Sequence, residues 1–189
     1  MPIKAIYDNL KPISIILIVS GAGILFYYLI RGIIGLDPLF PVGENMVDNE
    51  IIIIPDLIYI KPITLSLIMI YLGTVCGLEH LSKGWGLKLS DAGYSIIKIF
   101  LLLIIFISLY EIFFNFMLWC SLISSIATSG DISGNIDLLV NKFPNSEQPW
   151  NLVFASKLFY FYFLTSLTGV YYIERWRRLR EYSQEAQYH

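Results

Sequence analysis

The sequence predicts an all-α integral membrane protein: a single membrane domain over 1–189, with four transmembrane helices in an up-down bundle. Three observations predict it. Hydrophobic residues make up 56% of the chain and charged residues only 15%, where soluble domains carry about 25% charged residues. Mean hydropathy is +0.65. Four apolar stretches each reach the roughly 20 residues that a helix needs to cross a bilayer. A soluble chain must clothe its core with charge, and here there is too little charge to do so.

The first span runs over about 13–34 and follows Lys11-Pro12. Proline is tolerated in the first turn of a helix, where its missing N–H is no loss. Small residues at Ser20-Gly21-Ala22-Gly23 resemble a signal-peptide cleavage site. The apolar run continues past them through Ile30, however, and a cleavage site ends such a run. An uncleaved first transmembrane helix is therefore expected. The second span covers about 62–81 and again follows Lys-Pro, at Lys61-Pro62. The third covers about 94–124. The fourth covers about 150–176, with Trp150 and Trp176 expected at the two headgroup levels that tryptophan favours.

Charge placement orients the spans. The loop over 35–60 holds Asp37, Glu44, Asp48, Glu50 and Asp56 and no lysine or arginine. The loop over 127–149 holds Asp131, Asp137 and Glu147 against Lys142 alone. Lys4, Lys11, Lys83, Lys88, Arg175, Arg177, Arg178 and Arg180 flank the other ends. Basic residues stay on the cytoplasmic side, so both termini are expected inside and both acidic loops outside, in a multi-pass protein of the cell membrane. Within the long outer loop, Ile51-Ile52-Ile53-Ile54 is β-branched and favours extended structure. Pro55-Asp56 favours a turn. A short β-hairpin is the expected form.

Polar groups inside a bilayer are expensive and are the first place to look for function. Glu111 lies eight residues inside Trp119, about 12 Å along the axis, and Lys157 lies seven residues inside Trp150, about 10 Å. Helices adjacent in sequence tend to be neighbours. Matched depth thus predicts an ion pair between Glu111 and Lys157, with Asn115 one turn away. Small residues allow close helix approach, so Gly21 and Gly23 of the first span are expected against Gly73 and Gly77 of the second. Ser66 is expected to tolerate substitution better. Cys76 and His80 share a helix face, with Met69 near the same stripe, and sulfur with imidazole suits copper or haem. Glu79, beside them, is expected to meet headgroups, water or Lys83. Arg175, Arg177, Arg178 and Arg180 are expected at anionic lipid headgroups. Cys76 and Cys120 differ in expected depth by about 15–20 Å, too far for a disulfide.

Nothing in the sequence carries the GxSxG, HExxH, Walker, GxGxxG or CxxCH pattern, and no extended basic segment suggests nucleic acid. These features point to a non-catalytic accessory or assembly subunit of a larger membrane protein complex. Its partners would be the lipid bilayer and other membrane subunits, with no cofactor and no catalysis of its own. The alternatives are a small transporter or channel using Glu111, and a copper- or haem-binding component of a membrane oxidoreductase complex. With Cys76 and Cys120 replaced by alanine, cysteines introduced at Asn45 and Asn135 should react with a membrane-impermeant thiol reagent in intact cells, and one at Ser82 should not. Labelling at Ser82 alone would invert the orientation.

Overall fold

The computed structural model describes residues 10–34, 46–47, 49–54, 58–82, 88–129 and 150–185. They are mostly helical. Helix α1 spans Leu10–Ile34, α2 Pro62–Leu81, α3 Asp91–Ser129 and α4 Trp150–Glu185. All four are long and apolar enough to cross a membrane. Strands β1 (Ile51–Ile54) and β2 (Ile58–Ile60) precede α2 and pair antiparallel, Ile51 opposite Ile60 and Ile54 opposite Ile58, with an irregularity between Ile52 and Ile54. The loop over 127–149 and the ends of the chain lie largely outside the described residues.

Local chemistry sets the boundaries. Lys61 caps α2: its carbonyl accepts from the Leu65 N–H at 3.0 Å, and Pro62 takes the first helical position, where it is pre-organised. Helix α3 begins three residues before the expected position. Ser90 caps it, its Oγ accepting from the Gly93 N–H at 3.1 Å, which satisfies a donor with no partner inside the helix. Helix α4 runs nine residues beyond the expected end at Trp176. Its extension is polar and carries the i, i+4 pair Arg177–Glu181 at 3.1 Å, a spacing that supports an exposed helix.

The contacts divide the chain into two compact units. One draws on the described residues of Met1–Ala22, Ser66–Ser108 and Phe161–His189, the other on those of Gly23–Leu65 and Leu109–Tyr160. Burial along the helices inverts the soluble pattern. Ser14, Ser66, Ser108, Asn115 and Ser166 are buried, while Ile96, Ile99, Phe100, Phe106 and Phe113 are exposed. Lipid tails are as apolar as leucine, so large side chains gain nothing by turning inward, and small or hydrogen-bonding residues make the helix contacts. On α3 the inward positions recur every seventh residue, at Tyr94, Leu101, Ser108 and Asn115, the spacing of a packed helix seam.

Within the first unit, α1 meets α2 through a reciprocal polar contact. The Ser14 hydroxyl donates to the Gly73 carbonyl at 2.7 Å, and the Ser66 hydroxyl donates to the Gly21 carbonyl at 2.7 Å. Each helix thus carries a serine and, seven residues later, a glycine. A Cβ on Gly21 would stand 2.8 Å from the Ser66 carbonyl oxygen and from Ile70 Cγ1, and one on Gly73 would stand 2.8 Å from Ile18 Cγ1 and 2.9 Å from the Ser14 carbonyl oxygen. On Gly77 it would stand 2.9 Å from Ser14 Oγ. Two expectations change. Among the described residues Gly23 has nothing within 4 Å of such a Cβ, because it lies two residues, more than half a turn, around α1 from Gly21. Ser66 is fully buried and is one of the two hydroxyls that join the helices.

Gly73→Leu forces backbone apart and should lower thermal stability in detergent by at least about 1–3 kcal/mol, and Ser66→Leu should do likewise. Gly23→Leu should leave the melting curve unchanged. Equal tolerance at Gly73 and Gly23 would refute this register.

Candidate functional site

The most elaborate polar arrangement among the described residues lies in the first unit, where α4 leaves its apolar segment. Glu79, near the end of α2, accepts from Arg175 twice: Nη1 donates to Oε2 at 2.6 Å and Nη2 donates to Oε1 at 3.2 Å. The Tyr172 hydroxyl donates to Oε2 at 2.9 Å. Tyr172 and Arg175 are three residues apart and share one face of α4, and the guanidinium carbon lies 5.8 Å from the Tyr172 ring centroid. A planar guanidinium matches a carboxylate at both oxygens, which fixes direction as well as distance.

Neighbouring residues of α4 reach α3. Lys98 Nζ lies 3.0 Å from Glu174 Oε1, both side chains more than a third exposed. The Arg180 guanidinium donates to the Leu89 carbonyl at 2.6 Å and to the Asp91 carboxylate, and lies over the Tyr94 ring at 5.0 Å. Beneath these groups Tyr94, Tyr172, Ile173 and Trp176 form a buried apolar cluster, with Leu78, Leu89, Ile97 and Leu101 packed on it. Trp176 is 2% exposed and belongs to this core. Nearer the middle of the span, the Tyr71 and Thr168 hydroxyls are hydrogen-bonded at 3.0 Å, and Leu101 packs where a Cβ on Gly169 would stand 3.0 Å away.

Chemically this arrangement is a clamp. Both Glu79 oxygens already accept hydrogen bonds, so the carboxylate is held in one orientation. Cys76 and His80 flank it, both half-buried. Both cysteine thiols are free. Met69 faces α1, its Cβ 3.2 Å from where a Gly21 Cβ would be. Among the described residues no three His, Cys, Asp or Glu side chains converge as metal ligands.

In the second unit, Lys157 Nζ donates to the Thr64 hydroxyl of α2 at 2.7 Å. Among the described residues no ion pair joins Lys157 to Glu111. Matched depth left the azimuth open, and the face of α4 that carries Lys157 meets the first turn of α2. Glu111 stands on the α3 seam between Ser108 and Asn115. Asn115 is 5% exposed, and its Nδ2 has no hydrogen-bond partner among the described residues. Of the four arginines expected at headgroups, Arg177 pairs with Glu181, Arg180 turns inward to Asp91, and Arg175 holds Glu79.

Sequence reasoning overlooked Lys98, Tyr172, Thr64 and Ser14, and misjudged Ser66. Lys98 had a readable signal, a cation in the first turns of an apolar span, which calls for an acidic partner. So did the repeated serine–glycine spacing in α1 and α2. The chain matches no known protein family, no curated protein and no solved structure.

Glu79→Ala and Arg175→Ala should each lower stability by about 1–2 kcal/mol, the worth of charge-assisted hydrogen bonds discounted for partial exposure. The double variant should cost clearly less than the sum. Additive losses in the melting temperatures would show that the two groups act independently. Lys98→Ala, in a half-exposed pair, should cost no more than about 1 kcal/mol.

Proposed function

We propose that the chain is a non-catalytic accessory or assembly subunit of a larger membrane protein complex, in the cell membrane, with both termini cytoplasmic. One observation carries this reading. The β1–β2 ribbon stands just before the spanning segment of α2 and is apolar on successive residues, Ile52, Ile53 and Ile54 being 60%, 51% and 43% exposed. Ile51 with Ile60 and Ile52 with Tyr59 are successive cross-strand pairs and point to opposite faces, so both faces of the ribbon carry apolar side chains. A two-stranded ribbon is marginal by itself, and an exposed apolar strand edge is a template for pairing. A partner polypeptide that covers the isoleucines and adds to the ribbon edge resolves both problems. Met46 and Val47, from the same outer loop, are each 5% exposed, whereas Ile52, Ile53 and Ile54 stand uncovered among the described residues of that loop.

The position of the arginine clamp agrees with a scaffolding role, since Glu79 and Arg175 hold α2 to α4. Extraction from native membranes in mild detergent, followed by native electrophoresis, should find the chain in a species with other polypeptides. Ile52→Asp with Ile53→Asp should release it at its own size with its helical circular dichroism intact. A wild-type chain that runs only as a monomer or small homo-oligomer would remove the basis for this reading.

A further inference from the structure

We propose that the outward face of α4 formed by Tyr171, Arg175, Arg178 and Leu179 is a binding site for the phosphodiester group of an anionic phospholipid. These four residues line one open depression of about 150 Å³. Pockets that enclose small soluble ligands are typically ~300–1,000 Å³; this one is smaller and open on one side, which suits a headgroup whose remainder stays in the bilayer. The residues follow i, i+4, i+7 and i+8 along α4, so they share one helix face.

The two walls differ in chemistry. Tyr171 and Leu179 are 62% and 40% exposed and supply apolar contact. Arg175 and Arg178 supply cationic N–H donors. Arg175 is held in place by Glu79 through both terminal nitrogens, so its orientation is set before any ligand arrives. That ion pair also neutralises most of its charge. Arg178 is exposed; the nearby carboxylate one turn back, Glu174, feels its charge but is hydrogen-bonded to Lys98, so the net positive charge of the depression is chiefly that of Arg178. Arg177 and Arg180, spent on Glu181 and Asp91, face elsewhere. Among the described residues, Arg178 is thus the arginine of this segment that is exposed and makes no ion pair within hydrogen-bonding distance.

Depth completes the argument. From Leu152 to Ile173 the helix rises about 33 Å, close to the roughly 30 Å thickness of the hydrocarbon core. Arg175 and Arg178 follow directly and so stand at headgroup level. Toward the apolar segment the same face continues through Leu167 and Leu164, 50% and 45% exposed. A lipid with its phosphate at Arg178 would lay an acyl chain along these leucines. A bilayer offers many phosphates, but only a net anionic headgroup gains from the unneutralised Arg178.

The test uses the full chain, purified in detergent, with native mass spectrometry after exchange into mixtures of phosphatidylglycerol and phosphatidylcholine. The wild type should retain one phosphatidylglycerol in preference to phosphatidylcholine. Arg178→Gln should lower its apparent affinity about fivefold, equivalent to about 1 kcal/mol for one arginine at an anionic surface. Arg177→Gln, the same charge change on the neighbouring residue, should leave retention unchanged, and Leu179→Asp should weaken it as Arg178→Gln does. Circular dichroism confirms the fold of each variant. Equal losses from Arg177→Gln and Arg178→Gln would reduce the effect to the general field of the helix end and overturn the site. Equal retention of the two lipids by the wild type, or displacement of phosphatidylglycerol by millimolar inorganic phosphate, would overturn it as well.

Discussion

A carboxylate near the end of an apolar helix must be matched, and the way Glu79 is matched organises the unit around it. Its two oxygens face α4, where Arg175 and Tyr172 both donate to it. That contact fixes the rotation of α4 about its own axis. With the rotation fixed, Ile173 and Trp176 turn toward Tyr94 of α3, Glu174 toward Lys98, and Arg180 toward Asp91. Removing the Glu79 carboxylate would leave Arg175 without the partner that orients it, and the neighbouring pairs are too exposed to replace it.

The rest of the packing is built from weaker parts that work because the solvent is lipid. Serine hydroxyls bond to glycine carbonyls across α1 and α2 at two places related by a local two-fold arrangement. Each such bond contributes on the order of 1 kcal/mol. Each also requires the backbones to lie close together, which only glycine at Gly21 and Gly73 permits. The large aliphatic and aromatic side chains of α3 are largely exposed, as a lipid solvent allows.

The four spans were legible because length and apolarity alone specify them; the second was placed to the residue, since Lys61-Pro62 is a helix start with a mechanism. The paired strands at Ile51–Ile54 and Ile58–Ile60 follow from β-branching around Pro55-Asp56. What stayed hidden was azimuth. Depth could be counted from the ends of the helices, and it placed Glu111 level with Lys157. Which way each side chain points depends on how the helices rotate against one another, and that is decided by contacts such as Glu79 with Arg175, 96 residues apart. The same gap hid that Arg180 bonds Asp91 and that Gly23 meets no neighbour among the described residues. The serine–glycine spacing was present in both helices and would have given the α1–α2 register.

The 96 residues between Glu79 and Arg175 are also an interval of time. At translation rates of about 5–20 residues per second, some 5–20 s pass between synthesis of the carboxylate and synthesis of its counter-ion. Throughout that wait α2 has to exist with an unmatched acid. The residue lies two positions before the last of α2, Leu81, where water and headgroups can serve it until α4 arrives. A carboxylate at the centre of the same helix would have faced hydrocarbon for the whole interval. The location of the clamp at the edge of the span thus suits the order in which the chain is made as well as the structure it reaches.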